Sequence, residues 1–177
     1  MSAYRKLLIW VEGADDERFF RSVVGPQFEK QYGSVSVVSY AGRTIDYVNN
    51  FLRSISAMPA DYIFVADIDN SPCVTSKKAA LTARYKQLNP AKVIVVKAEI
   101  ESWYRAGLNP AACVRFRMRP LSDTQAVTKE HFHATKPNEF QSGIDYMIEV
   151  LKHFNIEVAR SQNQSFAYFV DKYSLSM

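Results

Sequence analysis

Acidic residues follow two apolar segments of this sequence, in positions where they could bind a metal ion. Glu12 follows the apolar run 7–11, and Asp67 and Asp69 follow the apolar run 62–66. Alternate side chains of an extended strand point to the same face, so the two aspartates would point the same way. Two carboxylates on one side of the chain offer hard oxygen ligands to a single divalent cation.

Four short runs rich in β-branched and aromatic residues alternate with helical patterns, which is typical of parallel βαβ units. We predict strands over 6–11, 35–39, 62–67 and 92–97. The carboxyl ends of parallel strands meet at one edge of the sheet, where open α/β sheets bind their ligands. We therefore expect several acids to arrive at that edge: Glu12, Asp67, Asp69, and Glu99 or Glu101.

Helical patterns follow the first three predicted strands. The first helix begins with the acids at 15–17 and is stopped by Gly25-Pro26. The second carries apolar residues at helical spacing from Ile45 to Ile55. The third is capped by Thr75 or Ser76. Its predicted buried side consists of Ala80, Leu81, Tyr85 and Leu88.

Carboxylates crowded at one sheet edge repel each other by several kcal/mol unless a cation neutralises them. An oxygen-only ligand set favours Mg²⁺ or Mn²⁺ over zinc. The alternative is that residues 69–72 form an ordinary turn, because Asp, Asn, Ser and Pro all favour turns.

The C-terminal third of the chain is predicted to be helical and to pack into a core. Two stripes keep the spacing of an amphipathic helix: Ile144, Met147, Ile148 and Leu151, and Phe166, Phe169, Val170 and Tyr173.

Composition limits the classes of protein to which the chain can belong. Its 177 residues, 47% of them hydrophobic, are enough for one substantial core. No apolar stretch approaches the roughly 18 to 20 residues of a membrane-spanning helix, and no signal-peptide pattern follows the N-terminus. We expect a cytoplasmic protein with no membrane partner. Cys73 and Cys113 are expected to be free thiols.

The formal net charge of +4 favours anionic partners such as nucleic acid. Arg115, Arg117 and Arg119 alternate with Phe116 and Met118. In an extended segment the three guanidinium groups would share a face and could contact phosphates of a nucleic acid. The alternative is a solvated edge strand whose charges discourage aggregation.

The order of these segments resembles the Toprim domain of topoisomerases, primases, recombination proteins and OLD-type nucleases. The resembling residues are Val11-Glu12-Gly13 with Asp16, Val65-Ala66-Asp67-Ile68-Asp69, and Ile100-Glu101-Ser102-Trp103. Among its branches, small OLD-like and RloB-like prokaryotic proteins are the most similar. The resemblance implies a Toprim-like α/β core over 1–107, with a four-stranded parallel sheet and helices on both faces. Residues 108–177 would form a mostly helical extension packed on that core.

The resemblance also implies roles for particular residues. Asp67 and Asp69 would bind Mg²⁺ or Mn²⁺, and Glu12 would be a ligand or a general acid/base. Asp16 and Glu101 would contribute to a second metal position. Lys97 would stabilise charge in the transition state, or would only form a salt bridge with one of the acids.

Some features of the Toprim relatives are missing here. Ser71 stands where topoisomerase-type domains often have a third aspartate, and no phosphate-binding Gly-x4-Gly-Lys-Ser/Thr motif occurs. Any ATPase partner would therefore be a separate chain, and a homo-oligomer is left open.

Three functions are compatible with these residues. The first is a metal-dependent phosphodiester hydrolase, an endonuclease on DNA or RNA that the resemblance links to prokaryotic defence. The second is phosphoryl transfer on a nucleotide or small phosphate ester. The third is a Toprim scaffold that binds nucleic acid or protein without catalysis.

Overall fold

The computed structural model describes residues 5–175, which fall into two compact units that divide between Val95 and Val96. The sequence prediction placed this division after residue 107. The reason for the difference lies in Trp103, whose ring packs against Phe166 and Phe169 at centroid distances of 5.1 and 5.5 Å. The segment around Trp103 therefore belongs to the core of the second unit.

The first unit is an α/β structure built on a four-stranded parallel sheet. Its strands are β1 (Lys6–Val11), β2 (Ser34–Ser39), β3 (Ala60–Asp67) and β4 (Val93–Val96), the last residue of β4 being the first of the second unit. Its helices are α1 (Ala14–Phe19), α2 (Gly25–Phe28), α3 (Ile45–Ile55) and α4 (Val74–Arg84). The four strand predictions are confirmed to within two residues at each end.

The strands lie in the order β2-β1-β3-β4. The chain leaves β1 toward β2 on one side, and β3 then lies on the other side of β1. Right-handed crossovers with this order place α1 on one face of the sheet and α3 and α4 on the other. The core on the α3 and α4 face contains Trp10 and Phe64 from the strands and Leu52 and Leu81 from the helices.

The sequence predicted that the first helix stops at Gly25-Pro26. This prediction is wrong, because the helical backbone continues through both residues. A π-helical segment, Phe20–Val24, joins α1 directly to α2. Proline is tolerated in the first turn of a helix because the N–H that it lacks would have no partner there. Pro26 lies in the first turn of α2.

The next two helices begin at side-chain caps. Thr44 accepts a hydrogen bond from the backbone N–H of Tyr47, so α3 begins where the sequence predicted. Cys73, and not Thr75 or Ser76, caps α4, because its thiol accepts the N–H of Ser76. Of the four residues predicted to be buried on α4 and the segment after it, only Ala80 is exposed.

The second unit is helical in the part that the structure describes. It contains α5 (Ile100–Ala106), α6 (Pro110–Arg115), α7 (Lys129–Ala134), α8 (Gly143–Lys152), α9 (Ile156–Gln162) and α10 (Gln164–Tyr173). Among residues 5–175, no helix has the length and apolar composition needed to cross a membrane.

The two amphipathic stripes of the C-terminal third differ in their outcome. The stripe on α10 is confirmed, because Phe166, Phe169 and Val170 are buried. The stripe on α8 is wrong in part. Ile144 and Ile148 are exposed, and the buried face of α8 consists of Tyr146, Met147 and Val150. The large Tyr146 ring, stacked on Phe132 at 5.0 Å, selects this face.

Candidate functional site

The carboxyl ends of β1 and β3 form the point at which the chain direction reverses across the sheet. Connections from these two neighbouring strands leave in opposite directions, toward β2 and toward β4. Such a switch point opens a crevice that open α/β sheets use for binding. Glu12 follows β1 directly, and Asp67 is the last residue of β3, so both acids lie at this point.

Backbone contacts hold Glu12 in place. Its carbonyl oxygen accepts hydrogen bonds from the Ser39 hydroxyl at 3.0 Å and from the backbone N–H of Ala41 at 3.2 Å. The residues after β2 therefore fix the end of β1. The Glu12 side chain is half-buried.

Three acids begin α1, as the sequence predicted, but only one of them is buried. Asp15 pairs with Arg18 and Glu17 pairs with Arg21, each at 2.7 Å. Asp16 is 6% exposed, and its carboxylate accepts the backbone N–H of Gly13 at 3.1 Å. This hydrogen bond closes the first turn of the helix and turns the Asp16 carboxylate toward the end of β1.

Tyr40 lies at the carboxyl edge of the sheet, where it bonds to the ends of β1 and β3. Its hydroxyl is buried and donates to the carbonyl oxygen of Val65 at 3.1 Å. Burial raises the pKa of Tyr40 strongly, and the negative charges of Glu12, Asp16 and Asp67 raise it further. These three acids lie at or next to the ends of β1 and β3. Together, Glu12, Asp16 and Asp67 are called the acidic cluster below.

Tyr40 was missed by the sequence reasoning, although a signal for it existed. It follows β2 immediately, so its place at the carboxyl edge of the sheet could have been predicted together with that of Glu12.

Asp69 does not lie on an extended strand, so the premise that the two aspartates point the same way is wrong. β3 ends at Asp67, and Asp69 has a left-handed backbone with φ of 48°. Aspartate tolerates this conformation better than most residues. The Asp69 carboxylate pairs with the ammonium group of Lys77 from α4. Asp69 therefore has a cationic partner, and it is not a member of the acidic cluster.

A cavity of about 340 Å³ adjoins this ion pair. It is lined on one side by Asp69, Asn70 and Ser71 and on the other by α4, including Lys77 and Arg84. Lys77 was not singled out from the sequence, because an isolated lysine on a helix usually lies on the solvated face. Here its side chain is 11% exposed.

Lys97 and Glu101 belong to the second unit. Lys97 is exposed, and its backbone N–H donates to the Ser165 hydroxyl at 3.3 Å. Glu101 is 2% exposed in the first turn of α5, and one of its oxygens lies 3.7 Å from the ammonium of Lys129. Burial and a cationic neighbour are compatible with a structural ion pair and with a functional carboxylate.

The three arginines at 115–119 do not form an extended segment, so the shared-face prediction fails in its geometry. Arg115 ends α6, and Arg117 has a left-handed backbone with φ of 56°. The N–H of Met118 donates to the carbonyl of Cys113, which completes a Schellman helix end. All three arginines are exposed. Arg115 pairs with Glu149 at 2.9 Å, and Arg117 lies 3.7 Å from Glu139.

The chemistry available at the switch point is that of grouped carboxylates beside a neutral phenol. Such a set can bind a hard divalent cation, or can accept and donate protons where a carboxylate stays protonated. Comparison of the chain with protein-family models, curated proteins and solved structures gives no match.

Proposed function

We propose that this protein is a metal-dependent phosphodiester hydrolase of the Toprim type, a nuclease acting on DNA or RNA. The observation that supports it most is the acidic cluster at the switch point. The order Glu12, Asp16 and Asp67 along the chain agrees with the Toprim resemblance, and the fold is of the required α/β class.

The acidic cluster has the ligand type of a magnesium or manganese site. Its three members provide only carboxylate oxygens, the ligands that these hard cations prefer. Carboxylates grouped at one edge of a sheet repel one another, so a cation bound by them would relieve that repulsion. Asp67 would be the principal ligand, with Glu12 or Asp16 as the second. When bound, the cation neutralises charge that develops on phosphate oxygens.

Glu12 and Asp16 would have different roles in the reaction. Glu12 is half-buried at the mouth of the crevice and would take a proton from the attacking water or give one to the leaving oxygen. Asp16 is held rigidly by the Gly13 N–H and would keep one carboxylate in place for a cation. In the proposal, Asp69 would be a further ligand of the cation, the role that the resemblance implies.

A second candidate, phosphoryl transfer on a nucleotide or small phosphate ester, is favoured by the cavity beside Asp69. Its volume of about 340 Å³ falls in the range of small-molecule sites. The same acidic cluster would serve either reaction, and the size of the preferred substrate separates the two.

Cleavage assays with a matched pair of variants test the proposal. Wild-type protein is incubated with labelled DNA and RNA, single and double stranded, in the presence of Mg²⁺ or Mn²⁺. Glu12→Gln should lose cleavage by on the order of a hundredfold or more while keeping its fold and substrate affinity. Glu29→Gln, which changes an exposed glutamate after α2, is the control and should cleave like the wild type. Cleavage that survives unchanged in Glu12→Gln would contradict the proposal.

A further inference from the structure

One face of α4 lines the cavity beside Asp69. Lys77, Leu81 and Arg84 recur at helical spacing, so they point to the same side over two turns of the helix. The opposite wall is the turn after β3, which contributes Asn70 and Ser71. The cavity therefore has one cationic group at each end of its helical wall, and across from them it has the Asp69 carboxylate and the neutral side chains of Asn70 and Ser71.

Lys77 is built into this wall. Its residue is 9% exposed, and its ammonium group reaches Asp69 at the cavity. An ammonium group has three N–H donors, and Asp69 occupies one of them in this structure. Because the aliphatic part of Lys77 is buried, its ammonium group cannot move far. The ammonium group can therefore leave Asp69 only for another acceptor in the same cavity.

Arg84 completes the cationic lining. It is the last residue of α4, and its guanidinium carbon lies 5.2 Å from the centroid of the Tyr85 ring. Stacking on an aromatic ring orients a guanidinium group without using its N–H donors. Those donors match the oxygens of a phosphate group in geometry and in charge.

We propose that this cavity binds a phosphate group, held by Lys77 and Arg84 with the Ser71 hydroxyl and the Asn70 amide as neutral donors. The inference rests on the proposed function, since it gives the phosphate-bearing substrate a second contact beside the acidic cluster. Cationic groups outnumber the single carboxylate in the lining, which favours an anion over a neutral ligand.

Lys77 would also couple this site to the binding of a cation. Asp69 and a phosphate group compete for the same ammonium group. A divalent cation that binds Asp69 releases Lys77 toward the phosphate, so cation and phosphate bind with positive cooperativity. Thermodynamic linkage requires the effect to be reciprocal: phosphate raises the affinity for the cation by the same factor.

The test is an NMR titration of the isotope-labelled full chain, which reports binding without requiring turnover. Inorganic phosphate, a nucleoside monophosphate and a dinucleotide with one internal phosphodiester are added separately, first without a divalent cation. The backbone amides of Ser71, Lys77 and Arg84 should shift. A response to all three probes indicates recognition of phosphate itself, and a preference for the dinucleotide identifies a nucleic-acid backbone as the source.

Variants separate phosphate binding from a merely structural ion pair. Arg84→Gln and Lys77→Met should each weaken phosphate binding about tenfold, the loss of one charge-assisted hydrogen bond. Asp69→Asn should strengthen phosphate binding without any cation, because it releases Lys77, and should abolish the cooperativity with Mg²⁺. Arg53→Gln, on the exposed side of α3, is the control. A structural ion pair alone predicts no gain in Asp69→Asn.

Absence of shifts at these amides with all three probes would overturn the inference, and so would unchanged affinity in Arg84→Gln. These outcomes are independent of the cleavage assay. Phosphate binding in a chain that cleaves nothing would leave the cavity assignment standing and remove the proposed hydrolase. Cleavage without phosphate binding at the cavity would leave the proposed hydrolase standing and remove the cavity assignment.

Discussion

The hydroxyl of Tyr40 donates a hydrogen bond to the carbonyl oxygen of Val65, 3.1 Å away. This bond joins the residue after β2 to the end of β3, across the intervening strand β1. The Tyr40 ring also stacks on Phe64 with centroids 4.6 Å apart. The backbone N–H of Tyr40 donates to the carbonyl oxygen of Val11, the last residue of β1. Tyr40 therefore connects the carboxyl ends of three strands at the edge of the sheet that carries the acidic cluster.

Tyr40→Phe tests the structural part of this role. The substitution keeps the ring and its stacking but removes the buried hydroxyl, so at pH 7 the free energy of unfolding should fall by about 1 kcal/mol. Chemical denaturation monitored by circular dichroism measures this change. Tyr47→Phe, at an exposed position on α3, is the control and should leave the stability nearly unchanged.

The raised pKa of Tyr40 predicts that stability depends on pH, and Tyr40→Phe tests this prediction as well. The pKa of Tyr40 is raised in the folded protein above its ordinary value of 10.0, so above about pH 10 the unfolded chain loses a proton that the folded protein keeps. Stability then falls with rising pH, by at most about 1.4 kcal/mol per pH unit from this group. Tyr40→Phe lacks this loss. The stability advantage of wild type over Tyr40→Phe should shrink above pH 10 and then reverse, and a constant difference would contradict the prediction.

Asp67→Asn and Asp69→Asn should differ in the absence of metal, although both remove one carboxylate. Asp67 belongs to the acidic cluster, so its neutralisation relieves repulsion and the melting temperature should hold or rise. Asp69→Asn leaves the ammonium of Lys77 without its carboxylate, so stability should fall by about 1 kcal/mol. Thermal unfolding in a chelator measures both effects.

Magnesium titration of the two variants adds a second readout. Asp67→Asn should lose most of the Mg²⁺ affinity, and Asp46→Asn, an exposed aspartate on α3, should retain it. Normal Mg²⁺ affinity in an Asp67→Asn Asp69→Asn double variant would show that the cation binds elsewhere.

The exposed arginines of the second unit can be tested by the salt dependence of nucleic-acid binding. If all three contact phosphate, replacing Arg115, Arg117 and Arg119 by Ala should make the log-log slope shallower by up to about three. A control that removes the same charge elsewhere, Lys30, Arg53 and Lys86 replaced by Ala, should change the slope less. An unchanged slope in the first triple variant would leave these arginines with their ion pairs only.

The sequence was sufficient to predict the sheet and its acidic edge. Buried parallel strands form continuous apolar runs, and Glu12 and Asp67 are placed by the ends of those runs. Asp16 was also predictable, because an acid in the first turn of a helix is favoured by the unpaired backbone N–H groups there.

The remaining features depend on backbone turns and on long-range packing that a short pattern does not contain. Asp69 and Arg117 both adopt left-handed conformations, which end the extended geometry that period-two spacing had suggested. Buried Phe116 and Met118 do alternate with exposed arginines, as the sequence pattern indicated. The cause is the end of helix α6 and not an extended strand. Lys77 acquires its role only when the turn after β3 brings Asp69 to it.

Anomalous diffraction from crystals soaked in manganese would test the proposed metal site most directly. We predict a peak about 2.1 Å from carboxylate oxygens of Asp67 and of Glu12 or Asp16, and its loss in crystals of Asp67→Asn. A protein that binds no manganese at the acidic cluster, at concentrations that support cleavage, would contradict a metal-dependent site at the switch point.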